Sequence, residues 1–273
     1  MCCFITKKLI QNHFIINILK LINIMKRKIT QIFIGVTVLL SVGCFSKKVM
    51  VERYAPIFEH TPTERAEVNS TGLTIALISP QYGDKKMNKT APYSNFSKNM
   101  GDDFEELLIA KGFTIRGPYA SRDEMVYSDK EDTDIALIVD IDMEIENESL
   151  TTREKAGIPF LKTDYVSYQV SGTFHQEGDI TLTAVSPFKG EKLWKKQIAL
   201  DRRTITCTGE DTWELELKGV LPAMKDNGIY NPTAKALEEY YQEVMTTATK
   251  HLDVREMKQV AAQAKKADED SRN

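Results

Sequence analysis

Cys44 is the residue whose surroundings dictate a reaction. It closes the run Met25-Lys-Arg-Lys-Ile-Thr-Gln-Ile-Phe-Ile-Gly-Val-Thr-Val-Leu-Leu-Ser-Val-Gly-Cys44. Lys26, Arg27 and Lys28 form a basic start, Ile32 to Leu40 an apolar stretch, and Gly43 a small residue before the cut. These are the parts of a bacterial lipoprotein signal peptide at residues 25–43, with the Cys44 thiol as acyl acceptor. The stretch is too short to cross a bilayer, which takes about 20 apolar residues. Ser41 departs from the leucine usual three residues before such a cysteine. An ordinary signal peptide, or a short anchor with a chance cysteine, are the alternatives.

The sharpest charged cluster is Asp140, Asp142, Glu144 and Glu146, alternating with Val139, Ile141, Met143 and Ile145. On a strand, these carboxylates leave one face about 7 Å apart, two residues of rise each. A calcium site or an acid/base pair can be built from such a row. A half-buried strand with an acidic solvent face explains the alternation without any function, and no glycine-kinked loop gathers the ligands. His60, His175 and His251 lie far apart with no ligand-spaced neighbours, so no metal is expected. Gly-x-Ser-x-Gly and glycine-rich phosphate loops are absent. Cys207 has no local helper and reads as a small packed residue. Tyr127, Tyr165, Tyr168 and Trp213 could line a sugar platform or simply pack. These patterns point to a protein that is not an enzyme and has no cofactor.

Composition narrows the partners. The chain carries 36 basic and 39 acidic residues, and residues 1–43 hold six of the basic and none of the acidic ones. A chain starting at Cys44 therefore has net charge −9, which argues against nucleic acid. Cys44 and Cys207 are its two cysteines, so with Cys44 acylated no internal disulfide can form. Residues 1–24 read as an upstream extension, with Met25 rather than Met1 as a natural start. A second apolar helix over Phe14–Ile24 is the alternative.

The positioning elements follow from periodicity. Residues 44–71, with Pro56 and Pro62, read as a lipid-anchored tether. A domain over 72–252 begins with a buried strand, Leu73–Ser79. A helix over 93–111 follows, with Phe96, Met100, Phe104, Leu107 and Leu108 on one face and Gly112 as C-cap. Phe113–Arg116 is a short strand, and Ser121–Lys130 a short helix capped by Ser121. Asp134–Glu146 is the longest strand, and Leu150–Thr163 a loop. Strands Tyr165–His175, Ile180–Val185 and Leu193–Leu200 form an antiparallel meander, with a tight turn at 176–179. Residues 202–231 look irregular. Asn231 and Pro232 open a helix with Leu237, Tyr240, Tyr241, Val244, Met245 and Ala248 on its stripe. Residues 253–273 read as an exposed helix and charged tail. The order predicts an α+β fold, two-layer, with a mainly antiparallel sheet and helices chiefly on one face. The expected core includes Phe104, Leu108, Ile138, Val139, Val170, Leu182, Leu237, Tyr241 and Val244.

Three stretches carry a resemblance: Leu73–Ser79 with its helix and Gly112-Phe113-Thr-Ile; Asp179 to Trp194 with its Pro and Gly-Glu; and Lys250 to Lys265. On these the chain resembles the neuraminyllactose-binding haemagglutinin family of outer-membrane lipoproteins over most of the part after Cys44. The resemblance implies a lipid-anchored protein of the bacterial outer membrane, and adhesion to sialylated glycans through a basic motif in the loop after the long acidic strand. That loop reads Leu150-Thr-Thr-Arg-Glu-Lys155, which keeps Arg153 and Lys155 but inserts Glu154. Arg202-Arg203 is closer to a basic pair but sits elsewhere. Arg153, Lys155, Arg202 and Arg203 are thus the glycan candidates. A scaffold lipoprotein docking on an envelope protein complex is the alternative.

Overall fold

A computed structural model describes residues 51–62, 70–155, 167–211 and 224–269, the side chains of 152–155, 167–169, 210 and 211 excepted. The signal peptide and Cys44 lie outside the described residues. In order, the elements are β1 (Thr74–Tyr82), α1 (Tyr93–Ala110), β2 (Thr114–Tyr119), α2 (Tyr127–Glu131), β3 (Ile135–Asn147), β4 (Thr151–Lys155), β5 (Ser167–Val185), β6 (Lys192–Asp211), α3 (Asn227–His251) and α4 (Val254–Glu269). The fold is α+β, with one mixed sheet.

β1 lies between β2 and β3 and is parallel to both. From β3 onward the sheet is antiparallel. One edge of β5 carries β3 along residues 174–185 and β4 along residues 167–171. The other edge pairs with β6 almost from end to end. β4 therefore continues the line of β3 after a jog at residues 148–150.

The main core sits on one face of this sheet, under α1, α3 and α4. Phe96, Met100, Phe104, Leu107 and Leu108 recur at helical spacing in α1, and each is at most 1% exposed. Gly101 costs α1 about 1 kcal/mol in propensity, but a Cβ there would stand 3.1 Å from the Pro80 ring, so the glycine lets helix and strand close up. The helix ends in a Schellman cap: Phe113 N donates to Leu108 O, and Gly112 N to Ile109 O, with Gly112 at φ +87.

Strict alternation on β3 buries Val139, Ile141 and Met143 and exposes Asp140, Asp142, Glu144 and Glu146. Of the expected core, Ile138 is misplaced. Adjacent strand residues face opposite sides, so with Val139 inward, Ile138 turns to a second, smaller cluster around Ala76, Met125, Ala136 and Val185.

The meander has fewer, longer strands than its turn residues suggest. Gln176–Asp179 is no turn: β5 runs through it, and the register with β6 slips between Gln176 and Gly178. Two β6 residues, Asp201 and Arg202, bulge opposite Glu177. Gly178 takes φ +151, and a Cβ there would collide with Asp142 O. Tyr240 of α3 plugs the irregularity, donating its hydroxyl to Gln176 O (2.8 Å) and Asp201 O (2.6 Å). β6 also continues through the stretch read as irregular, as far as Asp211. Residues 151–155, read as loop, form β4. The helix read over 121–130 is a short 3-10 turn at 122–124 followed by α2, and Ser121 makes no side-chain cap.

α3 starts five residues before the expected point. Its cap is Asp226, whose carboxylate accepts from Gly228 N at 2.6 Å. A Cβ on Gly228 would strike Thr208 O, so glycine allows the helix start to press on β6. Asn231, expected as the cap, instead fastens the chain at Glu52 and Tyr54.

Residues 51–60 read as tether in the sequence, yet they form a strap along α3. Asn227 donates to Val51 O, and Asn231 donates to Glu52 O and accepts from Tyr54 N, each at 2.8 Å. Glu238 accepts from the Tyr54 hydroxyl (2.6 Å) and Ile57 N (3.2 Å), and Gln242 donates to Glu59 O. The Arg53 guanidinium lies 3.5 Å above the Tyr230 ring. Phe58, 4% exposed, packs on Phe96 and Tyr241 with centroids 5.7 and 5.3 Å away. The spacing 227, 231, 238, 242 is one stripe of a helix.

α4 is also packed, not free. Asp253 caps it, accepting from Arg255 N and Glu256 N, and Met257, Val260, Ala261 and Ala264 are buried. At its far end Asp268 accepts from Phe188 N and Lys189 N in the β5–β6 turn. Among the described residues, no helix is long and apolar enough to cross a membrane.

Candidate functional site

With helices on one face, much of the other face of the long strands is a polar field. β3 contributes Asp140, Asp142, Glu144 and Glu146. β5 adds Thr173, His175, Glu177, Asp179 and Thr181, and β6 adds Lys195, Gln197, Arg202 and Thr204. Period-2 alternation, reset at the bulge, brings them to one side. The Asp140 carboxyl is raised above its ordinary range by partial desolvation near the small apolar cluster, against the pull of Lys192 and Lys195.

Arg202 ties three strands together on this face. It donates to Glu177 and to Glu146, both at 2.6 Å. The hydrogen bond it donates to Glu146 leads in holding its guanidinium protonated. Arg203, the next residue, reaches the helix side. It donates to Glu239 and to Glu243 (2.8 Å) on α3 and lies 4.5 Å from the Tyr240 ring centroid. The Arg202-Arg203 pair is therefore split between the two faces and cannot grip one ligand.

Arg153 and Lys155 are elsewhere. They lie in β4, in register with Gln169 and Ser167, and their side chains are outside the described residues. Arg203 stands in register with Gln176, so Arg153 and the arginine pair are separated by seven β5 residues, about 23 Å. The four candidates do not make one site.

The structure assembles one group that sequence order hides. His175 Nδ1 lies 3.1 Å from Thr204 Oγ1, and its Nε2 lies 3.2 Å from Glu148. Glu148 also accepts from Thr173 Oγ1 at 2.6 Å, and Ser149 Oγ meets Thr173 Oγ1 at 2.8 Å. The Thr173 hydrogen bond leads in holding the Glu148 carboxyl below its ordinary range. Hydroxyl, imidazole and carboxylate in this order can activate a nucleophile. Here the hydroxyl is on an exposed residue, and among the described residues this sheet face has no walls to hold a substrate in place and exclude water. The group fits a cross-strand polar clasp that fixes the β3–β4 jog against β5. No motif could have revealed it, because it depends on the pairing of His175 with Thr204.

Cys207 is buried, and burial pushes its thiol up to about 12, far from a reactive thiolate. Among the described residues no group of acidic, histidine or cysteine side chains could hold a metal ion. Of the aromatic platform candidates, Tyr127 is 64% exposed on α2 and meets the Phe188 ring at 5.2 Å. Tyr165, Trp213 and the Tyr168 side chain lie outside the described residues. Beside Phe188 is a shallow pocket of about 260 Å³, whose walls include Lys130, Glu131, Asp134, Lys265 and Glu269.

No protein-family model matches the chain, and no curated protein does. Solved structures do. A neuraminyllactose-binding hemagglutinin homolog from Helicobacter pylori superposes with TM-score 0.53 at 16% identity, over 78% of this chain and 100% of that one. A protein from Xanthomonas campestris is similar at TM-score 0.33 and 9% identity, over 82% of this chain and 100% of that one. A minor lipoprotein from Acinetobacter baumannii follows at 0.21 and 9%, over 65% and 91%. The first of these is a likeness of fold.

Proposed function

We propose that this chain is a non-catalytic, lipid-anchored protein of the bacterial outer membrane, held by acyl chains on Cys44, whose α+β domain binds a partner. The observation that carries the reading is the fold shared with the hemagglutinin homolog along all of that chain, in a sequence that places Gly43-Cys44 after a basic and apolar leader. One chain such as myristoyl holds a protein only marginally, with K about 10⁴ M⁻¹, whereas two or more hold stably. Mass spectrometry of the processed N-terminus tests this. An acylated Cys44 is expected, and an unmodified Cys44 or a different start refutes it.

The partner is, in the first reading, a sialylated glycan met by Arg153 and Lys155. A sialic-acid carboxylate calls for a forked donor, which arginine supplies and lysine does not. The terminal guanidinium nitrogens of Arg202 and Arg203 already pair with Glu177, Glu146, Glu239 and Glu243. That observation favours a second reading, a scaffold role on an envelope protein complex. A glycan array with residues 45–273 separates the two. Binding to sialylated probes that Arg153→Ala weakens supports the adhesin, and no binding above background supports the scaffold. An adhesin must also be open to antibody on intact cells, which sets its leaflet orientation.

A further inference from the structure

The strap changes what the stretch after Cys44 can do. A free tether over 44–71 lets a domain wander and tumble above the bilayer. But the chain is fastened from Val51 onward, by Asn227, Asn231, Glu238 and Gln242 in turn. Seven residue steps separate Cys44 from Val51. At 3.3–3.6 Å each they reach about 25 Å at most.

The strap begins at a definite end of the domain. Val51 is bonded to Asn227, the first residue of α3, and the neighbouring Gly228 abuts Thr208 and Gly209 near the end of β6. In register with residues 208–211 of β6 are residues 168–171 of β5, which carry β4 on their other edge. The opposite end of the long strands holds the β5–β6 turn with Phe188 and Lys189. It is fastened there to the last turn of α4 by Asp268. Between Lys192 and Gly209, β6 spans about 55 Å.

We infer that the strap fixes the orientation of the domain on a lipid surface. The end bearing the α3 start and β4 lies within reach of the headgroups, and the end bearing Phe188, Tyr127 and the adjoining pocket points away. This rests on the proposed acylation of Cys44. The headgroup-facing end then includes the exposed apolar Val51, 56% accessible, with Arg53 and Lys225. The outward end presents Val126 and Tyr127, 58% and 64% accessible. Any soluble partner meets the outward end first, and β4 with Arg153 and Lys155 lies on the membrane side.

The test uses acylated protein extracted from membranes and returned to vesicles of phosphatidylethanolamine and phosphatidylglycerol that carry a headgroup-linked energy acceptor. A donor dye is placed at Lys225→Cys in one sample and at Lys189→Cys in another, both exposed positions, while Cys207 stays buried. Donor quenching at 225 is expected to exceed that at 189 at least threefold. A flexible insert of about 20 residues between Cys44 and Val51 adds up to about 70 Å of reach and should bring the two values together. Equal quenching at both positions in the parent protein, or stronger quenching at 189, overturns the orientation while the anchor stands. A processed N-terminus without an acyl group, by mass spectrometry of the same sample, overturns both.

Discussion

Tyr241→Phe removes one oxygen from the centre of the domain, and the structure sets what that should cost. The Tyr241 ring is fully buried, wedged against Phe58 and edge-on to Phe96 at 5.6 Å. Its hydroxyl donates to Asp103 on α1 at 2.7 Å, and the same carboxylate oxygen accepts from His60 N at 2.6 Å. One carboxylate thus joins α1, α3 and the strap. Phenylalanine keeps the ring and its packing, so the loss is the hydrogen bond to a charged acceptor, about 1.5–3 kcal/mol. For a domain of this size 1 kcal/mol shifts Tm by about 2–4 °C, so the drop should be about 3–12 °C. Tyr241→Ala also loses the ring and should cost about 3–5 kcal/mol. Urea denaturation of the Cys44→Ser protein, with the m-value checked, measures both. The Asp103 carboxyl gives an independent readout. Burial raises it above its ordinary range, while Tyr241 and His60 hold it down. In the folded state it therefore binds a proton more readily than in the unfolded chain, so stability falls as pH rises from 3.8 through the folded value. Without the Tyr241 hydroxyl the folded value moves up and the window widens, as a carboxyl-carbon NMR titration would record. A Tyr241→Phe protein within about 0.5 kcal/mol of the parent, with Asp103 titrating unchanged, would refute the role given to this contact.

Gly178→Ala should destabilise by more than about 1 kcal/mol, because the side chain meets Asp142 O at a φ of +151; a chemical melt at parent stability would remove the bulge from the account. Tyr240→Phe leaves the Gln176 and Asp201 carbonyls without their donor and should cost about 1–3 kcal/mol, with faster amide exchange around residues 176–178 and 201–203. Cys207 should stay unreactive to a thiol reagent at pH 8 in the folded protein and react on unfolding, since burial holds its thiol up to about 12; rapid native labelling would place it at the surface. Arg203→Ala should lower stability more than Arg202→Ala. The first strips a guanidinium stacked on Tyr240 and paired twice to α3, while the second breaks exposed pairs of the kind worth little; the reverse order in a thermal melt would contradict that ranking.

What the sequence made legible were features governed by neighbours in the chain. The α1 stripe, its Gly112 cap, the alternation of β3 and the break at Leu252 each depend on residues within a turn or two of one another. What it hid depends on partners far away in sequence. Gln176-Glu-Gly-Asp179 has turn composition, but β3 and β6 on either side hold it extended, with the glycine beside a bulge in β6. Asn231-Pro232 has the composition of a helix start, but Asp226 caps first. Asn231 then faces outward to a strap some 177 residues earlier in the chain. The candidate site followed the same rule. Arg202 and Arg203 read as a pair because they are adjacent, yet adjacency on a strand is what separates them. One braces the sheet's open face, and the other braces α3. The two arginines closest to a binding motif in sequence are thus both ion-paired within the fold. A ligand has to be sought where charge is not already answered by charge. In the described part of the chain, that turns attention from the middle of the sheet to its two ends.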